Sequence, residues 1–479
     1  MLLNRTIFKT YDIRGLAEPG KLDAPLAYCA GVGYVRHLQA KHNTAMPTVV
    51  VTRDGRVSSP ELTGALITGM VDAGAQVTYG GLATTPMSYL INTHHPHHYL
   101  GAVQVSASHN PAAYNGFKVR DKDGKIWGEE LQEVYHLACA VETVPSDFIG
   151  WEERCLHQDF TPWYQLLLQE VVGSMPRVSI VVDGSNAVAG LINPPVLRSM
   201  GVAVEELCCE LDGTFPHHEP DPALAENYPD LMATVVAAGA DWGVMYDGDG
   251  DRVGMVDSTG RLLHQSEMLC LLGYQMAQQK QQTGETARMV IDCMQAEGVA
   301  SYLRSVGAEV FFCPTGHASV YEALYRYDAD LAGELSAHIM YRDLHGHDDA
   351  LYATCRLLQV LSSAPGLLEE IRSFMPATLQ EKYYYLPCSD AHKGPVMQRV
   401  ITALRAQYPD AITLDGVRVR LGDFTWGILR QSNTEPVLKL RVQSPEEPEL
   451  ERLLHHYMQA CEAAYSAEGL PLPEVRQVA

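Results

Sequence analysis

The sequence lacks the regular cysteine spacing that a zinc ribbon or a disulfide scaffold requires. Its eleven cysteines contain no C-x-x-C, and Cys208-Cys209 is the only adjacent pair. Free thiols in a reducing compartment are expected instead. Long apolar runs are missing too. No stretch approaches the ~18 residues of a membrane span, and the opening MLLNRTIFKTYDIRG turns polar too early for a signal peptide. Positive charge is scarce, with 35 basic residues against 58 acidic and a net charge of −23. This argues against nucleic-acid or anionic-membrane partners, which need a basic face. It leaves anionic small molecules open, because local arginines and a metal can invert the sign inside one site. A cytoplasmic protein is expected.

What is present is core material and a repeated pattern. Hydrophobic residues make up 46% of 479, enough for about three or four domains of roughly 150 residues. Three times an apolar strand, a polar loop, a helix, a glycine and a second apolar strand follow one another: Pro47 to Gly81, Arg177 to Leu207, and Arg288 to Gly316. Each reads as a βαβ unit, with Gly74, Gly201 or Gly307 closing the helix. Three α/β domains of related build, each with a mostly parallel sheet, are implied. Beyond them, GVRVRL, Trp426 to Leu429 and Pro436 to Ser444 read as antiparallel strands. Pro448 to Ser466 reads as an amphipathic helix with Leu450, Leu453, Leu454, Met458 and Cys461 on its stripe. The expected class is α/β, three related mixed α/β domains plus a C-terminal α+β domain, divided as 1–150, 151–258, 259–372 and 373–479. Linkers are placed near Pro145 to Trp151, Asp257 to Leu263 and Ser373 to Tyr385.

Four stretches carry candidate chemistry. After an apolar strand at Leu100 to Val105, Ser108, His109, Asn110 and Pro111 force a loop. Asn115-Gly116 suits a tight turn, and Lys118 alternates with a core-facing Phe117 on the returning strand. Asp247, Asp249 and Asp251 alternate with glycines that let the backbone curl round an ion, and three hard oxygen donors suit Mg²⁺. An EF-hand is excluded, because Arg252 and Ser258 stand where that loop needs glycine and glutamate. Glu334, Ser336 and His338 would project together from an extended loop and suit sugar hydroxyls. Arg430 to Pro436, between two strands, offers a guanidinium and a small-residue turn to a phosphate. The histidine-rich stretches at His94 to His98 and His345 to Asp349 read as solvated loops.

Taken in order, YDIRG, RDGR, SASHNP with NGFK, DGDGDR, TGH, GELSAH and RQSNTEP resemble the α-D-phosphohexomutase family over the whole length, and within it the phosphomannomutase/phosphoglucomutase branch. The resemblance implies four domains round a central cleft, with Ser108 as a phosphoserine and Mg²⁺ on Ser108, Asp247, Asp249 and Asp251. It implies reversible transfer between the 1- and 6-positions of a hexose phosphate through a hexose 1,6-bisphosphate. Arg14, Lys118 and His338 become candidates for proton transfer, with His109 supporting the serine and Arg252 stabilising charge. Tyr11, His317, Glu334 and Ser336 would bind sugar, and Arg430, Ser432, Asn433 and Thr434 phosphate. The partner would be a small sugar phosphate, and the protein a monomer or small homo-oligomer. Three departures stand out, one of them a loosely matched stretch beyond TGH. Ala337 occupies a usual glycine, and Met294 a usual lysine, which predicts leakier retention of the bisphosphate unless Arg288 or Arg304 compensates. A phosphoglucosamine mutase is the nearest alternative, against which Leu335 and Asn433 argue. A sugar-phosphate-binding regulator without turnover is the other.

Overall fold

A computed structural model describes residues 3–95, 97–375, 380–422, 424–432, 435–471, 473 and 475–478. The chain divides into two compact units, Met1–Leu263 with Ser336–Gln359, and His264–Leu335 with Val360–Ala479.

The first unit holds two sheets. In the larger, the strands run Ile13–Leu16, Tyr114–Asp121, Gly101–Val105, Thr48–Arg53, Gln76–Leu82 and Leu156–His157 across the sheet. Thr48–Arg53 pairs in parallel with both Gly101–Val105 and Gln76–Leu82. Val49, Val50 and Val51 are all fully buried. Because successive side chains point to opposite faces, this strand is covered on both. The sheet is mixed rather than mostly parallel, since Gly101–Val105 pairs antiparallel with Tyr114–Asp121. The loop 106–113 is too short for the crossover a parallel pair would need. The expected turn at Asn115-Gly116 is therefore corrected. Both residues lie inside the strand, paired with Gly15 and Arg14, and the Asn115 amide donates to Ser58 and Ser59.

The second sheet runs Val253–Asp257, Trp242–Tyr246, Ser179–Asp183 and Ala203–Leu207, antiparallel only at its first pair. In the second unit, Arg288–Asp292 pairs in parallel with Glu309–Cys313 and Leu331–Gly333. All three expected βαβ copies are present. Their glycines, Gly74, Gly201 and Gly307, take φ of 96°, 89° and 92° just past the helix ends, a conformation closed to most L-residues.

The C-terminal sheet is antiparallel, in the order Val417–Arg420, Trp426–Gln431, Val437–Ser444, Gln380–Pro387 and Arg476–Val478. Gln380–Pro387 overturns the linker expected there. This strand, with three consecutive tyrosines at 383–385, pairs with the whole of Val437–Ser444. The helix Glu447–Ala467 buries Leu450, Leu453 and Cys461 of the expected stripe against this sheet together with Tyr457, while Leu454 and Met458 are only partly buried. All eleven cysteines are free thiols. No described helix is long and apolar enough to cross a membrane.

Candidate active site

In the first unit the strand Gly101–Val105 delivers Ser108 into a loop with φ of 54°, a left-handed conformation that serine rarely adopts. The conformation holds because the loop is clamped. Ser108 N–H donates to Ser106 Oγ at 2.9 Å. The buried Arg56 guanidinium donates to the carbonyls of Ser108 (2.5 Å), Asn110 (2.6 Å), Pro111 (2.8 Å) and Tyr114 (3.0 Å), and its Nε to Asp54 at 3.1 Å. One planar side chain thus organises a whole loop. On its far side, a Cβ at Gly248 would collide with the Ser108 carbonyl oxygen. Only glycine lets the two loops approach.

Ser108 Oγ donates to Asp247 Oδ2 at 2.8 Å and lies 3.2 Å from His109 Nδ1. The 247–251 segment is a curled turn. Asp247 Oδ1 accepts the N–H groups of Gly250 (2.9 Å), Asp251 (3.0 Å) and Arg252 (3.2 Å). This curl brings carboxylate oxygens of Asp247, Asp249 and Asp251 within 4.8 Å of one another. Lys118 Nζ bridges Asp249 (2.7 Å) and Asp251 (2.6 Å), and Thr85 donates its hydroxyl to Asp249. Among the described residues, Asp249 Oδ1 and Asp251 Oδ1 are buried without a hydrogen-bond partner. Buried anionic oxygens left in this way call for a cation, and a hard divalent ion fits the donor set.

Electrostatics follow from this geometry. Burial, then Asp251 and Asp249, pushes the Asp247 carboxyl well above the ordinary range. Burial opposes ionisation of Asp249, but Lys118 outweighs it and holds that carboxyl below the ordinary range. Lys118 is itself held protonated, because the two aspartates outweigh its burial. Burial, then Arg252 and Arg14, keeps His109 well below the usual imidazole range, so the ring beside Ser108 is neutral.

The remaining candidates of this unit gather around that core. Arg14 donates to Asn110 Oδ1 at 2.8 Å and pairs with Asp12 at 2.5 Å. Arg252 lies 3.4 Å from Asp247 and 3.3 Å from Asp221. His338 bridges Arg252 by backbone, with its Nδ1 at 2.6 Å from Asp348 and 3.8 Å from Asp251. Tyr11 stacks on Trp127, and Ser336 is exposed. The 334–338 segment is a turn, not the expected extended loop, since Ala337 takes φ of 74°.

In the second unit, Glu334 Oε1 accepts the N–H of Gly316 at 3.1 Å, and His317 opens the helix His317–Arg326. Asp415 accepts from Arg430 Nε at 2.8 Å and from Thr315 N–H at 3.3 Å, so it joins the Thr315 turn to the arginine. Arg430 lies inside the strand Trp426–Gln431 instead of sitting in the turn, and Ser432 follows that strand, its carbonyl accepting from Lys393 at 2.9 Å. Asn433 and Thr434 lie outside the described residues.

The four successive family models for phosphoglucomutase/phosphomannomutase, α/β/α domains I, II and III and the C-terminal domain, match residues 5–142, 167–260, 264–378 and 385–460. The chain is 33% identical to a phosphomannomutase/phosphoglucomutase of Pseudomonas aeruginosa, covering 98% of each chain. It is 31% identical to a phosphoglucomutase of Neisseria gonorrhoeae, covering 96% of this chain and 98% of that one. A crystal structure of a phosphoglucomutase/phosphomannomutase family protein from Burkholderia thailandensis superposes with a TM-score of 0.83 at 30% identity, covering 98% of this chain and all of that one.

The chain belongs to the phosphoglucomutase/phosphomannomutase family.

Several residues of this family member escaped sequence reasoning. Arg56 stood in a recognised RDGR motif without a role. The stretch His345 to Asp349, read as a solvated loop, is corrected: His347, Asp348 and Asp349 are buried. His347 sits 2.9 Å from Arg120, Asp348 orients His338, and Asp349 accepts from Tyr164 at 2.8 Å. Thr85, Asp415 and Lys393 gave no local signal at all.

Met294 lies in the turn after Asp292, and neither proposed substitute reaches that turn. Arg288 begins the strand at its opposite end and donates to Glu309 at 3.1 Å, while Arg304 pairs with Glu297 at 3.5 Å. Two arginines of the C-terminal sheet hold the turn. Arg418 donates to the carbonyls of Cys293 (2.7 Å) and Gln295 (2.9 Å), and Arg441 donates to that of Met294.

Proposed function

We propose that this chain is a phosphohexomutase that moves a phosphoryl group reversibly between the 1- and 6-positions of a glucose or mannose phosphate, through phosphorylated Ser108 and a hexose 1,6-bisphosphate. The observation that carries this reading is Ser108 Oγ, 2.8 Å from Asp247 beside two aspartates with unpartnered buried oxygens. Asp247, Asp249, Asp251 and the Ser108 oxygen would hold Mg²⁺. When bound it supplies Lewis-acid stabilisation of the transferring group's charge.

The side chains supply position and proton traffic. Phosphoryl transfer passes through a loose transition state, so orientation and fixed positive charge dominate. Arg56 fixes the serine loop, and Lys118 and Arg252 are preorganised cations. Neutral His109, its Nδ1 3.2 Å from Ser108 Oγ, supports the serine. Asp348 holds Nδ1 of His338 and orients a ring that is a candidate to exchange a proton with a sugar hydroxyl. Arg14 and Lys118 are the other candidates for proton transfer. Tyr11, His317, Glu334 and Ser336 are assigned to the sugar, and Arg430, Ser432, Asn433 and Thr434 to the phosphate that is not transferred. The corresponding divisions are a phosphoserine domain (1–150), a metal-binding domain (151–258), a sugar-recognition domain (259–372) and a phosphate-binding domain (373–479).

The test is a coupled mutase assay primed with hexose bisphosphate, together with phosphopeptide mass spectrometry. Ser108→Ala nearly abolishes turnover without lowering the melting temperature, and the parent carries phosphate on Ser108. Phosphate on another residue, or parental activity in the alanine variant, overturns the reading. Extending the assay to glucosamine phosphates separates hexose mutase from glucosamine mutase.

A further inference from the structure

A second set of metal-ligating side chains, sharing none of the three aspartates beside Ser108, meets in the first unit. Asp183 is the last residue of the strand Ser179–Asp183 and pairs in register with Leu207 on the parallel neighbour. Cys208 follows Leu207 directly, so the two side chains leave the ends of adjacent strands. The loop after them returns His218. One donor atom each from Asp183, Cys208 and His218 lies within 4.8 Å of the others.

The donor orientation is set by surrounding bonds. His218 Nδ1 lies 2.9 Å from the Glu219 carbonyl oxygen. A carbonyl only accepts, so Nδ1 carries a proton and Nε2 is turned to the cluster, 3.0 Å from Asp183 Oδ2. The other Asp183 oxygen accepts the Ser185 N–H at 2.8 Å. Tetrahedral bonds of ~2.0–2.1 Å place N and O ligands about 3.3 Å apart, so the Nε2–Oδ2 pair needs little adjustment. Cys208 is held in a left-handed conformation, φ 48°, with its carbonyl accepting the Asn186 N–H at 2.7 Å. Asp183 is fully buried and the His218 side chain is 9% exposed, while Cys208 stays partly open to solvent.

We propose that Asp183, Cys208 and His218 bind one Zn²⁺, with a water in the fourth position. A mixed sulfur, nitrogen and oxygen set suits this borderline ion, whereas Mg²⁺ takes oxygens. On binding, the Cys208 thiol releases its proton to solvent, Nε2 gives up any proton shared with Asp183, and both lone pairs turn to the ion. The ion ties the Cys208–Asp221 loop to the sheet end. Asp221 accepts from Arg252, which pairs with Asp247, so occupancy steadies a cation of the phosphoryl site.

The test titrates Co²⁺, then Zn²⁺, into chelator-treated full-length protein held in saturating Mg²⁺. One equivalent of Co²⁺ gives a thiolate-to-metal charge-transfer band that Zn²⁺ removes. Cys208→Ser abolishes the band and weakens zinc by more than the roughly 10- to 100-fold lost with an outer hydrogen-bond partner, whereas Cys209→Ser keeps both. Zn²⁺ raises the melting temperature of the parent but not of Cys208→Ser, and matching melts in chelator show that the variant folds. A parent without a thiolate band at one equivalent, or a band that survives Cys208→Ser, overturns the site.

Discussion

The first and third repeats each place a buried aspartate at the end of their first strand, Asp54 just past Thr48–Arg53 and Asp292 last in Arg288–Asp292, and the two have different surroundings. Asp54 accepts from Arg56 N–H (3.0 Å), Arg56 Nε (3.1 Å) and Ser59 Oγ (2.5 Å). Asp292 has an oxygen without a hydrogen-bond partner among the described residues. Burial raises both carboxyls. Asp54 has a guanidinium to oppose it, whereas Asp292 has Glu334 beside it and is pushed up to about 7. The arginines differ in the same sense. In the first repeat the cation is local and the carbonyls it reads belong to the distant serine loop. In the third the carbonyls are local and Arg418 and Arg441 come from another sheet. One βαβ frame can thus either hold a remote loop or be held by a remote sheet.

The sharpest way to break this comparison is Arg56→Ala. It removes four carbonyl bonds and leaves Asp54 buried without its cation, a loss of roughly 3–5 kcal/mol. Urea denaturation reads the stability, and turnover falls at least as far as the released loop dictates. Arg56→Lys recovers only part, because a point charge cannot span four carbonyls. Near-parental turnover in the alanine variant would remove Arg56 from the clamp.

Asp292→Asn probes the other side through pH. The folded chain binds the Asp292 proton more tightly than the unfolded chain does, so the parent loses stability as pH rises from the ordinary 3.8 through about 7. The variant lacks that slope. Its advantage over the parent should therefore grow between pH 4 and pH 7 in denaturation midpoints. A constant gap would mean that Asp292 ionises normally.

Met294→Lys gives the third turn a cation of its own. On the proposed mechanism, one charge at a partly hydrated site retains the bisphosphate by on the order of 1 kcal/mol, or several-fold in escape rate. Labelled bisphosphate released per turnover measures it, and equal leakage in variant and parent makes the substitution silent. The smallest effect belongs to Ala337→Gly. Relief of a left-handed alanine, about 1–2 kcal/mol, is offset by glycine's entropy of about 0.5–1 kcal/mol. A melting temperature raised by no more than a few degrees is expected, and a lowered one would contradict the strain at φ 74°.

The sequence alone carried the three βαβ repeats, the C-terminal helix, the curl of Asp247 to Asp251 and the alternation of Lys118 with a buried Phe117. Each of these is written in neighbouring residues: β-branched runs, a glycine past a helix, carboxylates alternating with glycines, a side-chain period of two. Other features were illegible because their causes lie far apart in the chain. Thr85 meets Asp249 across 164 positions, Arg56 reaches the Ser108 carbonyl across 52, and Arg418 reaches Cys293 across 125. Asn115-Gly116 looked like a turn because a local signal cannot see the two strands that flank it. Cys208 looked like one of a stray pair until strand register set it beside Asp183 and the loop brought back His218. Propensity and periodicity act over a few residues. Which arginine neutralises which aspartate, and which donors share one small volume, is decided only when distant segments pack.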